Sequence, residues 1–159
     1  MNDTVTKIIR PDWLQFMVDK LHLFVLLAVC VLYCGLEEVF FEDLVKGGCI
    51  LLAFYLGYGL IFLLCCRFTI TDEQIIFERG VFTRRSDFIE LYRVVDFKEK
   101  RSFLQQLLGL KTVVVFSGDR THPQLIIPGV HNREPLVRLI RERVELNKKR
   151  KGIYEITNR

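Results

Sequence analysis

Residues 47–66, GGCILLAFYLGYGLIFLLCC, carry no charged side chain over twenty positions. At about 1.5 Å of rise per residue, a helix of that length reaches about 30 Å, the thickness of a bilayer's hydrocarbon core. Only a helix or a closed barrel satisfies its own backbone in lipid, and one isolated stretch cannot close a barrel. The run therefore reads as a membrane-spanning helix. Arg67-Phe68-Thr69-Ile70-Thr71 follows at once and is already strand-like, so a folded domain is expected to hang from the helix with almost no linker.

A second apolar run covers 21–36, broken only by His22; its sixteen residues reach about 24 Å as a helix. Lys20 can snorkel at one end, and Val39-Phe40-Phe41 extends the apolar surface at the other. A cleaved signal peptide does not fit, because a small-residue cleavage pattern is missing and Glu37-Glu38 follows directly. The expected arrangement is an N-terminal interfacial segment over 1–20, spans at about 21–38 and 47–66, an outside loop at about 39–46, a folded domain over 67–147 and a basic tail over 148–159. Trp13 suits the headgroup level, with Lys7, Arg10 and Lys20 reaching lipid phosphates.

Charge sets the orientation. Residues 37–46 hold Lys46 against four carboxylates, net −3, whereas 67–159 hold 19 basic and 12 acidic side chains, net +7. Lys7, Arg10 and Lys20 precede the first span and Arg67, Arg79, Arg84 and Arg85 follow the second, which puts both termini in the cytoplasm. The cysteines at 30, 34, 49, 65 and 66 all lie in or beside the apolar runs, where they behave as small apolar residues. His22, His122 and His131 have no ligand-spaced companions, so no metal or cofactor is expected.

Beyond Cys66 the apolar period shortens to that of strands. Residues 68–71 and 75–79 flank the turn-forming Asp72-Glu73. Gly80 punctuates before a further strand at 81–85, and Phe88, Leu91, Val94-Val95 and Phe97 continue as short strands. Ser102 and Gln105 fit a capping box opening a short helix, and Gly109 fits its stop. Residues 112–116 form a β-branched run, and 124–127 a strand ended by Pro128-Gly129. The last helix is expected from Asn132 as cap, with Leu136, Val137, Ile140 and Val144 on one face.

Six or seven short strands closed by one amphipathic helix is the element order of a pleckstrin-homology barrel. The sequence resembles the bacterial membrane-anchored PH-domain proteins of the YdbS and YdbT type. The resemblance is carried by Arg10-Pro11-Asp12-Trp13 with the two spans, Ile70-Thr71-Asp72-Glu73 with Ile75-Ile76, Arg79-Gly80-Val81-Phe82-Thr83-Arg84-Arg85, and Ile89-Glu90-Leu91-Tyr92-Arg93-Val94. It continues through Ser102-Phe103-Leu104-Gln105-Gln106-Leu107-Leu108-Gly109-Leu110, Thr112-Val113-Val114-Val115 and Ile127-Pro128-Gly129-Val130. Val94-Val95-Asp96-Phe97 departs conservatively from an Ile-Gln-Asp-Val-like run. The resemblance implies a two-span hairpin followed by a mainly-β PH-like barrel of about seven antiparallel strands with a C-terminal helix, at a bacterial inner membrane, with no established reaction.

A nucleophile with its base, paired carboxylates in an apolar setting and a phosphate cradle are all missing, so an enzyme is not expected. The first hairpin turn, Thr71-Asp72-Glu73-Gln74, is acidic and repels a phosphoinositide headgroup. Arg79, Arg84, Arg85 and the cluster Lys148, Lys149, Arg150 and Lys151 are candidate anionic-lipid contacts. No groove-reading motif or stacking platform points to nucleic acid. Phe103 with Leu107, and Leu104 with Leu108, make a short helix apolar on more than one side; with Phe82 they form a candidate interaction surface. The leading expectation is a membrane-anchored interaction or assembly module that binds the bilayer and a protein partner or itself, with no small-molecule substrate. The rivals are an accessory subunit of a membrane enzyme or transporter, with the hairpin as working part, and an anionic-lipid-binding module.

Overall fold

Asp12 accepts the Leu14 N–H on its carboxylate at 2.8 Å, and this N-cap opens helix α1 (Trp13–Cys34). The computed structural model describes residues 6–36 and 41–152. α1 thus starts well before the apolar run, and its first two turns use residues expected in an interfacial segment. Helix α2 (Glu42–Cys65) likewise begins inside the expected outside loop; residues 37–40 of that loop, and the tail beyond Gly152, lie outside the described residues. The helices pack antiparallel, with Phe16 against Gly59 and Lys20 Nζ 3.4 Å from the Tyr55 hydroxyl. At 22 and 24 residues they are long and apolar enough to cross a membrane. Only 6% of each apolar window is buried, so neither is the core helix of a soluble domain.

Among the described residues, seven antiparallel strands form two sheets. Strand β1 (Lys7–Ile9) comes before the helices and pairs with β2 (Arg67–Ile70), which comes after them, Ile9 standing opposite Phe68. β3 (Gln74–Arg79) and β4 (Arg85–Glu90) complete the first sheet in the order β1-β2-β3-β4. After a 3-10 turn at Leu91–Arg93, strands β5 (Val94–Lys100), β6 (Leu110–Ser117) and β7 (Gln124–His131) form the second. Helix α3 (Phe103–Leu107) joins β5 to β6, with the capping box of Ser102 and Gln105 formed on both sides. Alternate residues of both sheets, among them Phe68, Ile70, Ile75, Val113, Val115 and Ile127, fill one core with Leu136, Ile140 and Val144 of helix α4 (Leu136–Arg150). Each such side chain, fully withdrawn from water, contributes on the order of 1.5–3 kcal/mol.

Three expected boundaries move. Residues 81–84 form the β3–β4 loop and not a strand, because Gly80 takes φ +116° and turns the chain before Arg85 pairs with Arg79. β7 runs through Pro128-Gly129 to His131; Pro128 is tolerated because the strand lies at the sheet edge and the register slips there, between Lys111 and Val113. α4 begins at Leu136 and not at Asn132, whose N–H donates instead to the Gly109 carbonyl at 2.9 Å. All five cysteines are free.

Candidate functional site

The second sheet is anchored to the base of α1 by polar contacts. The Asp12 N–H donates to the Gly129 carbonyl at 3.0 Å, and Gly129, at φ +64°, lies so close to α1 that a Cβ there would fall 2.8 Å from Gln15 Cβ. Gln105 Nε2 donates to Gln15 Oε1 at 2.8 Å and to Thr112 Oγ1 at 2.7 Å, and Gln15 Nε2 donates to Asp19 at 2.8 Å. Gln15 and Gln105 are both buried. A ladder of amides therefore joins α1 to α3 and β6, leaving little freedom for the domain to swing about the hairpin.

The helix-proximal end of the domain carries the candidate apolar residues. Leu104 and Leu108 are half-buried, while Phe103 and Leu107 are 79% and 75% exposed beside α1. Phe82, 91% exposed, stacks on Tyr58 of α2 with ring centroids 6.5 Å apart. Phe82 thus stands against α2, and α3 against α1. Tyr58 lies seven residues before Cys65, about 10 Å along the helix axis, so the β3–β4 loop rises alongside α2.

Beneath that loop, at the C-terminal end of α2, a cavity of about 220 Å³ is lined by Arg10, Arg67, Arg79 and Arg84 with Glu78, and is roofed by Leu64 and Cys65. Arg67 Nε lies 4.0 Å from the Glu78 carboxylate but is buried with no hydrogen-bond partner, and Arg79 reaches Asp87 at 3.4 Å. A buried donor left unmet costs about 1–3 kcal/mol. Arg10 and Arg84 are exposed and have no ion-pair partner among the described residues. Arg10 follows β1 and Arg67 opens β2, the two strands that flank the hairpin, a juxtaposition that no sequence spacing reveals.

The other candidate cations lie elsewhere. Arg85 stands opposite Arg79 in the β3–β4 ladder, outside the cavity lining. The cluster at 148–151 ends α4, where Asn147 donates to the Asp72 carbonyl, Arg143 donates to the Ile70 carbonyl at 2.7 Å, and Lys151 lies 3.8 Å from the Tyr92 ring centre. That is the far end of β2 from the helices. The same contacts pack α4 against the acidic 71–74 turn.

A second cavity, of about 260 Å³, opens between the sheets. β4 and β7 are each paired on one side only, and the cavity lies between them, lined by Phe77, Arg79, Asp87, His122, Gln124 and Ile126. His122 and Asp87 approach to 3.5 Å across it, and Ile126 in its lining is about half exposed. Among the described residues no group of three or more His, Cys, Asp or Glu side chains is placed to hold a metal.

A family model described as a bacterial PH domain matches residues 20–144, a stretch that includes most of both long helices, and the chain belongs to that family. No curated protein and no solved structure matches the chain.

Proposed function

We propose that this member of the bacterial PH domain family is an anchored, non-catalytic interaction module on the cytoplasmic face of the inner membrane, which receives an extended segment of a protein partner between its two sheets. The anchoring rests on α1 and α2, whose apolar surfaces need a lipid cover, and on the basic residues flanking them. Removing α1 as a leader would also remove β1 and the Gln15 contact, which argues against a signal sequence. The partner reading is carried by one observation, the groove between β4 and β7. Each strand offers unpaired backbone groups on the groove side, and an extended peptide satisfies such groups by adding as a further strand. Phe77 and Ile126 supply apolar surface for alternate side chains, and Arg79, Asp87 and His122 supply polar contacts.

A photo-crosslinking residue at Ile126, in the full chain in membranes, is expected to give one adduct of discrete size. The same probe at Glu145 on α4 gives none. Gln124→Lys, an exposed position in the groove lining, should abolish the adduct while leaving the domain folded. Equal adducts from both probes, or an adduct indifferent to Gln124→Lys, would sink the groove reading. A cysteine introduced at Asp43 in a cysteine-free background tests orientation: labelling from the cytoplasmic side alone reverses the proposed topology.

A further inference from the structure

We infer that Cys34 and Cys49 form an intramolecular disulfide that closes the outer end of the helical hairpin; the inference rests on the anchored topology proposed above. From 25 to 36 the half-buried residues of α1 are Leu27, Cys30 and Cys34, and from 43 to 55 those of α2 are Val45, Cys49 and Leu52. Spacings of three and four put each trio on one stripe, and the two stripes are the faces along which the antiparallel helices pack. Three of these six seam positions are cysteines. Across the seam the Cys49 side chain is within hydrogen-bonding reach of both the Cys30 and the Cys34 thiols. Small side chains at facing positions let two helix backbones approach closely, as a bridging disulfide requires. The three thiols are not placed to hold a metal together, so the chemistry they share is pairwise.

Depth selects the pair. Cys34 is the last residue of α1, next to the loop that carries the acidic excess, and the proposed topology puts that end outside the cytoplasm, where disulfides form and persist. Cys30 lies one turn, about 6 Å, deeper in the apolar run. The Cys34 thiolate attacks one sulfur of an exchangeable disulfide of that compartment and releases one thiolate, leaving a mixed disulfide; the Cys49 thiolate then attacks the Cys34 sulfur and releases the second. Two protons leave the two cysteines, and their two electrons reduce one disulfide to two thiols. The bridge fixes α1 against α2 at the end opposite the Gln15–Gln105 contact, which holds the hairpin base to the domain. Cys65 and Cys66 stand at that base, where the Cys66 thiol donates to the Phe62 carbonyl at 3.4 Å, and on the cytoplasmic side they stay reduced.

The test counts thiols in the full chain taken from intact cells, quenched in acid, denatured and labelled with a polyethylene glycol maleimide that adds one gel shift per free thiol. Wild type is expected to show three adducts, its five cysteines less the bridged two, and five after reduction. Cys30→Ala should show two and then four, whereas Cys49→Ala should show four both times. An equal count before and after reduction in Cys30→Ala makes Cys30 the partner and overturns the pair, as does a gain of two in Cys49→Ala. A dimer on a non-reducing gel that reduction dissolves places the bond between copies and also overturns it. Five wild-type adducts before reduction, with Asp43→Cys labelled from outside, removes the disulfide and leaves the topology. Five adducts with Asp43→Cys labelled from the cytoplasmic side alone removes both.

Discussion

Lys111 is the residue whose burial asks most of its neighbours, since its side chain is only 5% exposed and a buried ammonium is costly without a partner. Glu99 supplies one by accepting its hydrogen bond at 2.8 Å, with Arg101 at 3.2 Å on the carboxylate's other oxygen. The Lys111 hydrogen bond, and then the charges of both cations, hold the Glu99 carboxyl below the usual carboxylate range. A carboxylate whose folded pKa is depressed stabilises the fold above its unfolded pKa, about 4.3, and loses that share as pH falls through the folded value. Glu99→Gln is therefore expected to cost about 2 kcal/mol at neutral pH and to flatten the fall in stability between about pH 5 and pH 3. Thermal unfolding across that window checks both parts, and a variant retaining the wild-type slope refutes the assignment. Residue-scale chemistry was only partly legible in the sequence. Ser102 and Gln105 are three positions apart, so their mutual capping follows from a local rule. Gln105 also meets Gln15, ninety positions away, and no spacing rule spans that separation.

At the scale of elements, the long helices, most strands and α3 follow from period and composition, because each is decided by its own residues and the face it buries. β1 escaped because Lys7-Ile8-Ile9 is three residues long and becomes a strand only by pairing with β2, across the whole hairpin. The sequence puts the α4 cap three residues early because Asn132 has the chemistry of a cap, but its Oδ1 accepts no hydrogen bond and its N–H donates to the Gly109 carbonyl just before β6. The arginine cavity was half legible: Arg79 and Arg84 belong to one hairpin, whereas Arg10 and Arg67 join them only through the β1–β2 pairing. The docking of α1 on β7 turns on Gly129. An alanine there must hold φ +64°, at about 1–2 kcal/mol, and its Cβ would lie 2.8 Å from Gln15 Cβ and 3.0 Å from Asp12 N. Gly129→Ala should lower stability by about 2–4 kcal/mol and speed hydrogen exchange at the Leu14, Gln15 and Phe16 amides more than at Val113 and Val115. Uniform acceleration at both places would mean that the contact does not belong to the α1 base in particular.

Taken whole, the molecule is a barrel with its hairpin inserted between two neighbouring strands. Ile9 pairs with Phe68, so Arg10 leaves one strand beside the point where Arg67 enters the next, and 56 residues intervene at positions 11–66. Two adjacent antiparallel strands are the arrangement that a two-residue turn closes, and Asn-Gly supplies the backbone such a turn requires. Among the described residues, the core cluster draws almost entirely on the strands and α4, with Cys66 its sole member between positions 11 and 66. Replacing 11–66 with Asn-Gly should therefore yield a water-soluble domain in which β1 still pairs with β2, now as a local hairpin. That domain would be less stable than the full chain, since Gln105, Gly129 and Leu104 lose the cover of α1. Closing the shorter loop offsets part of the loss, as a loop of two residues costs less entropy than one of 56. Dispersed amide resonances and cross-strand contacts between Ile9 and Phe68 are the expected result. A soluble but unfolded product would show that the hairpin base belongs to the folding unit, and that the barrel and its anchor are one domain whose stability cannot be divided.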